Sequence, residues 1–313
     1  MAEGNLDVHA NARRVASERS HHPAFVIEKR YRDRGHAFDE FLVIGADPVV
    51  SDAFEFRQQN FGVGDGFRRV ALQRQRAAGA PVKLIYVTAN YDNPSGSTLP
   101  LNRREELVRL AREHRALVVE DDAYTGIDLD GPPPTSLFAV AGGEGIVRCG
   151  TFSKTIATGL RVGWTVASPP LIELLGFMRF DNGASPLLHR TVLAYLESGA
   201  HDPHVERLCA LYRERRDASA AALHEHCEPY LTFRMPSGGF FHWLKLREGL
   251  DAAAVTQAAA EQGVAVTPGT GYYATAGGDD RIRLVYSALP PQELAEAIRR
   301  FAVALESVAA REG

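Results

Sequence analysis

Residues 150–155 read Gly-Thr-Phe-Ser-Lys-Thr, and Arg161 follows seven residues after Lys154 in the stretch Gly-Leu-Arg-Val-Gly-Trp. Two more motifs lie upstream, Asn-Pro-Ser-Gly at residues 93–96 and Glu-Asp-Asp-Ala-Tyr at residues 120–124. Together the four motifs supply an amine, a guanidinium, a carboxylate, a phenol and an amide. A lone lysine in a loop is usually a solvated charge. Four motifs in this order and spacing argue against that interpretation.

These five groups match what pyridoxal phosphate needs. A lysine amine forms a Schiff base with the aldehyde of this cofactor and then carries protons. A carboxylate pairs with the pyridinium nitrogen, and a guanidinium is suited to phosphate. We therefore predict that Lys154 is the Schiff-base residue, and that Arg161 binds the phosphate together with the hydroxyls of Thr151 and Ser153.

With these motifs the chain resembles the class I/II aminotransferases, which are fold-type I pyridoxal-phosphate enzymes. It is most similar to the branch that contains 2-aminoadipate aminotransferases and MocR-type aminotransferase domains. The resemblance runs from about Val82 to the C-terminus and does not cover roughly residues 1–60. It implies a three-layer α/β/α large domain, incomplete at its N-terminal side, and a smaller C-terminal α+β domain. The predicted boundaries are an atypical segment at 1–66, a partial cofactor-binding domain at 67–210 and a small domain at 211–313.

The resemblance also selects one of three neighbouring acids. In the family, the acid that pairs with the pyridinium stands three residues before the tyrosine, which selects Asp121. It makes Tyr124 a donor to the phenolate oxygen of the cofactor, with Asn93 donating from the opposite side. Glu120 and Asp122 are interpreted as salt-bridge or solvent-facing residues, because a buried triple charge without partners is too costly. The alternative for Tyr124 is a structural role, in which its ring packs in a loop and its hydroxyl contacts solvent. The predicted catalytic residues are Lys154, Asp121 and Tyr124.

A C-terminal stretch carries the predicted substrate contact. Residues 281–287, Arg-Ile-Arg-Leu-Val-Tyr-Ser, resemble the family strand whose arginine binds the substrate α-carboxylate. Alternation along a strand puts Arg281 and Arg283 on one face, so geometry alone does not choose between them. The leucine, tyrosine and serine that follow select Arg283 by the resemblance. Asn93 is expected to contact the substrate as well.

The hydrophobic pattern predicts strands alternating with helices, typical of a doubly wound α/β sheet. After about residue 230 the order changes to short strands with helices between them. The predicted strands are 83–87, 116–119, 145–149, 163–167, 231–235, 240–244, 264–266 and 282–285. The predicted helices are 102–114, 171–179, 187–198, 202–225, 251–262 and 292–308. Asn102 is expected to cap the first helix, with Glu105 as its capping-box partner.

Composition narrows the class of protein. The 313 residues suffice for two domains, with 45% hydrophobic and 24% charged residues in an ordinary globular balance. A net charge of −4 offers no basic field for nucleic acid. No apolar run approaches the roughly 20 residues of a membrane span, and the N-terminus has no apolar signal core. The three scattered cysteines lack metal spacing and fit a reducing cytoplasm. We expect no metal, no nucleic acid and no membrane partner.

Residues 1–60 mix His, Arg and Phe without a sustained period. They are a divergent segment, an unstructured extension or a frame-shifted reading of the gene. Relatives hold the cofactor phosphate with a Gly/Ser-rich loop at a helix N-terminus. The only Gly-rich stretch here, residues 60–66, is too close to the strand at 83–87 for that role. We therefore expect weak cofactor binding, and a homodimer only if this segment folds.

The leading functional hypothesis is an aminotransferase that moves an amino group between an amino acid and a 2-oxo acid. A second hypothesis keeps pyridoxal phosphate but changes the reaction to that of a lyase, a decarboxylase or an oxidase, since one fold hosts many chemistries. A third is a truncated, non-catalytic domain, such as the effector domain of a regulator. Residues 1–60 show no winged-helix pattern or basic patch that would favour a DNA-binding regulator.

Overall fold

The computed structural model describes residues 82–178, 185–273 and 277–312. These residues group into two compact units. The first contains the described residues up to Ala89, together with Leu99–Gly126 and Pro134–Val205. The second contains Asn90–Thr98, Ile127–Pro133 and the described residues from Glu206 onward. The expectations for residues 1–66, including the absent phosphate loop, lie outside the described residues, and the predicted boundary at 210–211 stays a prediction.

A four-stranded sheet lies at the centre of the first unit. Its strands are β1 (Leu84–Val87), β2 (Leu117–Asp121), β3 (Ile146–Thr151) and β4 (Gly163–Val166), in that spatial order. The first three strands run parallel, and β4 runs antiparallel to β3. All four predicted strands are confirmed to within two residues at each end. Because β1 to β3 are parallel, their carboxyl ends share one edge of the sheet.

The helices of the first unit are α1 (Leu101–His114), the short α2 (Leu137–Val140), α3 (Pro169–Phe177) and α4 (Pro186–Glu197). The predicted capping box of α1 is wrong. The N-cap position is Pro100, which makes no side-chain cap, so Asn102 already lies inside the first turn. The predicted end of α3 at residue 179 lies outside the described residues.

The core of the first unit forms between α1 and the sheet. Leu107 and Val108 of α1 are buried in one cluster with Ile85 of β1 and Val118 of β2. This burial explains why β1 and the first residues of β2 and β3 are apolar, since helix-covered parallel strands expose little polar surface. No helix in the described part of the chain is both long enough and apolar enough to cross a membrane.

The second unit is an antiparallel sheet with helices, as predicted for an α+β domain. The strands are β5 (Leu231–Thr232), β6 (Phe241–Leu246), β7 (Thr267–Pro268) and β8 (Arg281–Val285), in the spatial order β5-β6-β8-β7. The long helix α5 (His201–Cys227) contributes residues to both units, and α6 (Ala252–Glu261) and α7 (Pro291–Glu312) belong to the second.

One predicted strand of the second unit, at 264–266, is wrong. The backbone N–H of Val264 donates to Ala259 at the end of α6, at 2.9 Å, so this residue still belongs to the helix terminus. Pairing with β8 begins only at Thr267, opposite Arg283. The apolar Val264 fills the core of this unit instead, where Leu244 and Phe301 are fully buried.

Candidate active site

The carboxyl edge of the first sheet positions the lysine motif. β2 ends at Asp121 and the parallel β3 ends at Thr151, so the loops that follow them leave from the same edge. Tyr124 lies in the turn after β2, and Lys154 lies in the turn after β3. The Lys154 Nζ lies 5.9 Å from the centroid of the Tyr124 ring. The fold therefore brings these two predicted catalytic residues together.

The three predicted phosphate ligands form one cluster in the same unit. Thr151 Oγ1 lies 2.9 Å from Ser153 Oγ and accepts the Ser153 backbone N–H at 3.1 Å. Arg161 Nη1 lies 3.5 Å from Ser153 Oγ and donates to the Thr158 carbonyl at 3.3 Å. Arg161 itself has a left-handed backbone, with φ of 53°. Two hydroxyls and a guanidinium thus converge beside Lys154, a donor set suited to a phosphate dianion.

The three neighbouring acids are separated by strand alternation. Glu120 stands opposite Arg148 in the β2–β3 pairing, and its carboxylate accepts the backbone N–H groups of Leu137 at 2.8 Å and Phe138 at 3.0 Å. Arg104 Nη1 lies 4.0 Å from this carboxylate, and Arg148 Nε lies 3.9 Å from it. Burial raises the pKa of Glu120 above its ordinary value, against the opposing effect of Arg148. Glu120 is therefore a fully buried member of an ion network.

Asp122 forms a salt bridge with Arg148, which also lies near Glu120. Arg148 Nε donates to Asp122 Oδ2 at 2.9 Å, and the Thr125 hydroxyl donates to Asp122 Oδ1. Of the two alternatives for Glu120 and Asp122, the structure shows the salt bridge and not exposure to solvent, since both residues are buried. Their arginine partners were not predicted, because they come from other elements whose register the sequence does not display.

Asp121 faces the opposite side of the sheet. Its partner in the pairing is Cys149, and the Tyr86 hydroxyl of β1 donates to Asp121 Oδ2. Cys149 Sγ in turn lies 3.5 Å from Thr165 Oγ1 of β4. Burial raises the pKa of Cys149 to about 11. Tyr86 is a neighbour of the site that the sequence reading missed. Strand alternation alone could not have found it, because the register of β1 against β2 is seen only in the structure.

Gly150 makes room for an indole in the lysine motif. It pairs with Trp164 of β4, and a Cβ atom at this position would lie 2.2 Å from the Trp164 ring. The Arg148 guanidinium lies 5.4 Å from the centroid of the same ring, as in a cation–π contact. The glycine is therefore needed for packing immediately before the predicted phosphate ligands.

The second unit contains the two predicted substrate residues and brings them into contact. Arg283 Nη1 donates to Asn93 Oδ1 at 2.8 Å, and Nη2 lies 3.5 Å from Thr267 Oγ1. The Arg283 guanidinium lies 4.7 Å from the Phe241 ring centroid and 5.1 Å from that of Tyr272. Two aromatic rings and two oxygens thus fix the orientation of this guanidinium.

The turn that carries Asn93 is anchored within the same unit. Tyr91 has a left-handed backbone, with φ of 52°, and its ring is fully buried. A Cβ atom at Gly238 would lie 2.4 Å from the Tyr91 ring. The glycine stretch at 238–239 therefore packs directly on the turn of Asn93.

Comparison with known proteins places the chain in a family. The sequence pattern described as "Aminotransferase class I and II" matches residues 69–301, and the chain belongs to this family. It is 32% identical over 233 residues to aromatic-amino-acid aminotransferase 1 of Thermococcus litoralis. The aligned residues make up 74% of this chain and 56% of that protein. It is also 32% identical over 245 residues to 2-aminoadipate transaminase of Thermus thermophilus, and this alignment covers 76% of this chain and 60% of that protein. The chain thus spans somewhat more than half the length of these relatives.

A solved structure shows the same fold. The α-aminoadipate aminotransferase of Thermus thermophilus, complexed with N-(5′-phosphopyridoxyl)-L-leucine, superposes with a TM-score of 0.71 at 30% identity. The match covers 79% of this chain and 64% of that one. The predicted pyridoxal-phosphate transferase fold is therefore confirmed for the matched part of the chain.

Proposed function

We propose that this protein moves an amino group between an amino acid and a 2-oxo acid, with pyridoxal phosphate as its cofactor. The observation that carries the proposal is the convergence of Lys154 with Tyr124 and with the cluster of Thr151, Ser153 and Arg161. The phosphopyridoxyl-leucine complex of the relative from Thermus thermophilus supports this choice of cofactor.

The chemistry of the donor set in the first unit fits pyridoxal phosphate. Two hydroxyls and the Arg161 guanidinium match a phosphate, the Asp121 carboxylate matches a pyridinium nitrogen, and the Tyr124 phenol matches the ring oxygen. When bound, this cofactor supplies an electron sink for the α-carbon and a carrier for the amino group. The buried neighbours Glu120 and Asp122 are already occupied by arginines.

The protein's own groups perform three tasks in this proposal. Lys154 Nζ would hold the cofactor at its aldehyde carbon, and its free amine would take the proton from the substrate α-carbon and deliver it to that cofactor carbon, as amino-group transfer requires. The Asp121 carboxylate keeps a proton on the ring nitrogen. Arg283 binds the α-carboxylate of the substrate, because its guanidinium offers a planar fork for bidentate contact and is positioned by the neighbouring Phe241 and Tyr272 rings. Asn93 holds that guanidinium and is expected to donate to the ring oxygen as well.

The test is to identify the lysine that holds the cofactor and the product that forms. Borohydride reduction of the protein with pyridoxal phosphate, followed by peptide mapping, should place the pyridoxyl label on Lys154. Lys154→Ala should lose both the label and all turnover. Lys245→Ala is the control, since this lysine lies on β6 of the second unit. A label on Lys83 or Lys245, or elimination and decarboxylation products without amino transfer, would reject the proposal.

The finer assignments are part of the same proposal. The names of the relatives favour aromatic amino acids and 2-aminoadipate as the first donors to assay, with a panel of 2-oxo acids as acceptors. We further propose that the protein is cytoplasmic and forms a homodimer on the condition that residues 1–60 fold. Light scattering after size-exclusion chromatography tests the dimer, and cell fractionation tests the location.

A further inference from the structure

We propose that Tyr86 is a positioning residue that keeps the Asp121 carboxylate ionised and fixed in place for the ring nitrogen of the cofactor. This inference rests on the proposed function, because the role of Asp121 toward the ring does. It adds a residue that the cofactor site does not otherwise include.

The register of the sheet carries the first step of the argument. Tyr86 of β1 stands opposite Val119 of β2, and Asp121 lies two residues beyond Val119. Side chains two residues apart on a strand share a face, so Tyr86 and Asp121 lie on the same face of the sheet. The Tyr86 hydroxyl donates to Asp121 Oδ2, and the Asp121 residue is only 9% exposed.

The second step is the chemistry of the phenol as a donor, compared with that of an arginine. Glu120 and Asp122 lie within reach of Arg148, a permanent cation. A cation paired with Asp121 Oδ2 would neutralise this carboxylate and so weaken its interaction with the pyridinium. A phenol, with an ordinary pKa near about 10, donates one hydrogen bond and brings no charge. Tyr86 therefore stabilises the ionised carboxylate while leaving its negative charge to act on the ring.

The third step gives the expected consequence of removing the hydroxyl. Tyr86→Phe leaves a buried carboxylate short of one donor, so the proton affinity of Asp121 rises. The proton shared by the ring nitrogen and Asp121 then shifts toward the carboxylate. A hydrogen bond to a charged group predicts a shift of roughly tenfold in this equilibrium. Turnover should fall by a similar factor, while the KM for the amino acid should change little.

The experiment has two arms that separate this inference from the proposed function. In the full chain without cofactor, the titration of the Asp121 carboxyl carbon by ¹³C NMR, assigned with Asp121→Asn, should move to higher pH in Tyr86→Phe. In the chain loaded with ¹⁵N-labelled pyridoxal phosphate, the ring nitrogen resonance should move toward that of the unprotonated ring. Thr165→Val is the matched control, because it removes another buried hydroxyl of the same sheet whose partner is Cys149.

Each outcome is decisive. Unchanged carboxyl titration and unchanged ring resonance in Tyr86→Phe would overturn the role of Tyr86, even in a chain that binds cofactor and turns over. Equal shifts in Thr165→Val would overturn it as well, since the effect would then be general to the sheet. Failure of the parent chain to bind pyridoxal phosphate would instead overturn the proposed function. If Tyr86→Phe does not fold, the solvent-isotope shift of the Asp121 carboxyl carbon in the parent chain reports whether this hydrogen bond exists.

Discussion

Glu120 and Arg148 stand opposite each other in the β2–β3 pairing, and this register assigns the two faces of the sheet to different tasks. One face carries a buried network of acids and arginines that includes Glu120. The other carries Asp121 with Tyr86. A slip of one residue would exchange the two faces, so the register of a single strand decides which carboxylate is available for chemistry.

The first prediction compares Asp121→Asn with Asp122→Asn. Asp121→Asn removes the charge that we propose pairs with the ring nitrogen, so turnover should fall on the order of a thousandfold, as when a fixed electrostatic partner is lost. Asp122→Asn weakens the pair with Arg148 and should reduce stability more than turnover per folded molecule. Steady-state rates normalised to the folded fraction provide the measurement. Equal losses in the two variants would contradict the assignment.

The second prediction concerns Arg104, whose side chain is completely buried. It donates to the carbonyls of Leu99 at 2.7 Å and Ala89 at 3.1 Å and lies beside Glu120. Arg104→Met leaves the buried carboxylate short of a cation, so the free energy of unfolding should fall by about 3–5 kcal/mol. Urea denaturation measures this change.

Arg109 provides the matched control on the same helix. Its side chain is 47% exposed and pairs on the surface with Glu106 and Glu113. Because water screens such pairs, Arg109→Met should leave the free energy of unfolding nearly unchanged. Similar losses in the Arg104 and Arg109 variants would show that the buried network is not what stabilises this sheet.

The third prediction is a pH dependence from His242. Burial, assisted by the nearby Arg216 charge, lowers the pKa of His242 to about 3, and its Nε2 lies 2.8 Å from Ser219 Oγ. The folded protein therefore keeps this ring neutral, whereas the unfolded chain protonates it below about pH 6.5. The contribution of His242 to the free energy of unfolding is therefore fully present above that pH and is lost as the pH falls toward about 3. The loss amounts to about 2 kcal/mol between about pH 7 and about pH 5.

Denaturation at several pH values tests the role of His242. His242→Gln should remove this part of the change of unfolding free energy with pH, whereas the same substitution at the part-exposed His226 should not. An NMR titration should also find the ring of His242 neutral at about pH 5. A protonated ring at that pH would refute the prediction.

The fourth prediction concerns Gly150. Gly150→Ala places a methyl group against the Trp164 indole, so overpacking should cost about 1–3 kcal/mol and change the Trp164 fluorescence. Gly159→Ala is the control in the following loop, where an added Cβ meets nothing within 4 Å. Thermal unfolding with fluorescence detection compares the two, and equal stability of both variants would count against the close packing.

The fifth prediction concerns Arg283. Arg283→Lys keeps a positive charge but loses the planar fork, so the KM for the amino acid should rise about tenfold or more. Arg281→Lys, two residues earlier on the same strand and 3.3 Å from Asp280, should have a small effect. A larger effect at Arg281 would show that the choice between the two arginines was wrong.

Local spacing in the sequence was enough to predict most strands, and it offered a salt bridge as one of two alternatives for Glu120 and Asp122. It was not enough where the partner comes from another element. Arg104 and Tyr86 were missed, because which side chains meet across a sheet depends on register rather than on neighbours in the chain. Local signals also failed where two of them competed. Pro100 occupies the N-cap position that was expected for Asn102. Val264 is hydrogen-bonded to the C-terminal end of α6 and does not lie in a strand.

The hydrogen bond between Asn93 and Arg283 joins residues that are 190 positions apart in the chain. A ribosome adding residues at typical speed needs about 10 to 40 s to cover that distance. The Asn93 turn therefore leaves the ribosome long before its partner strand exists. During that interval the Tyr91 ring lacks the Gly238 turn that packs against it in the folded unit. Slowing translation between the two segments should lengthen the period in which the nascent chain is open to proteases.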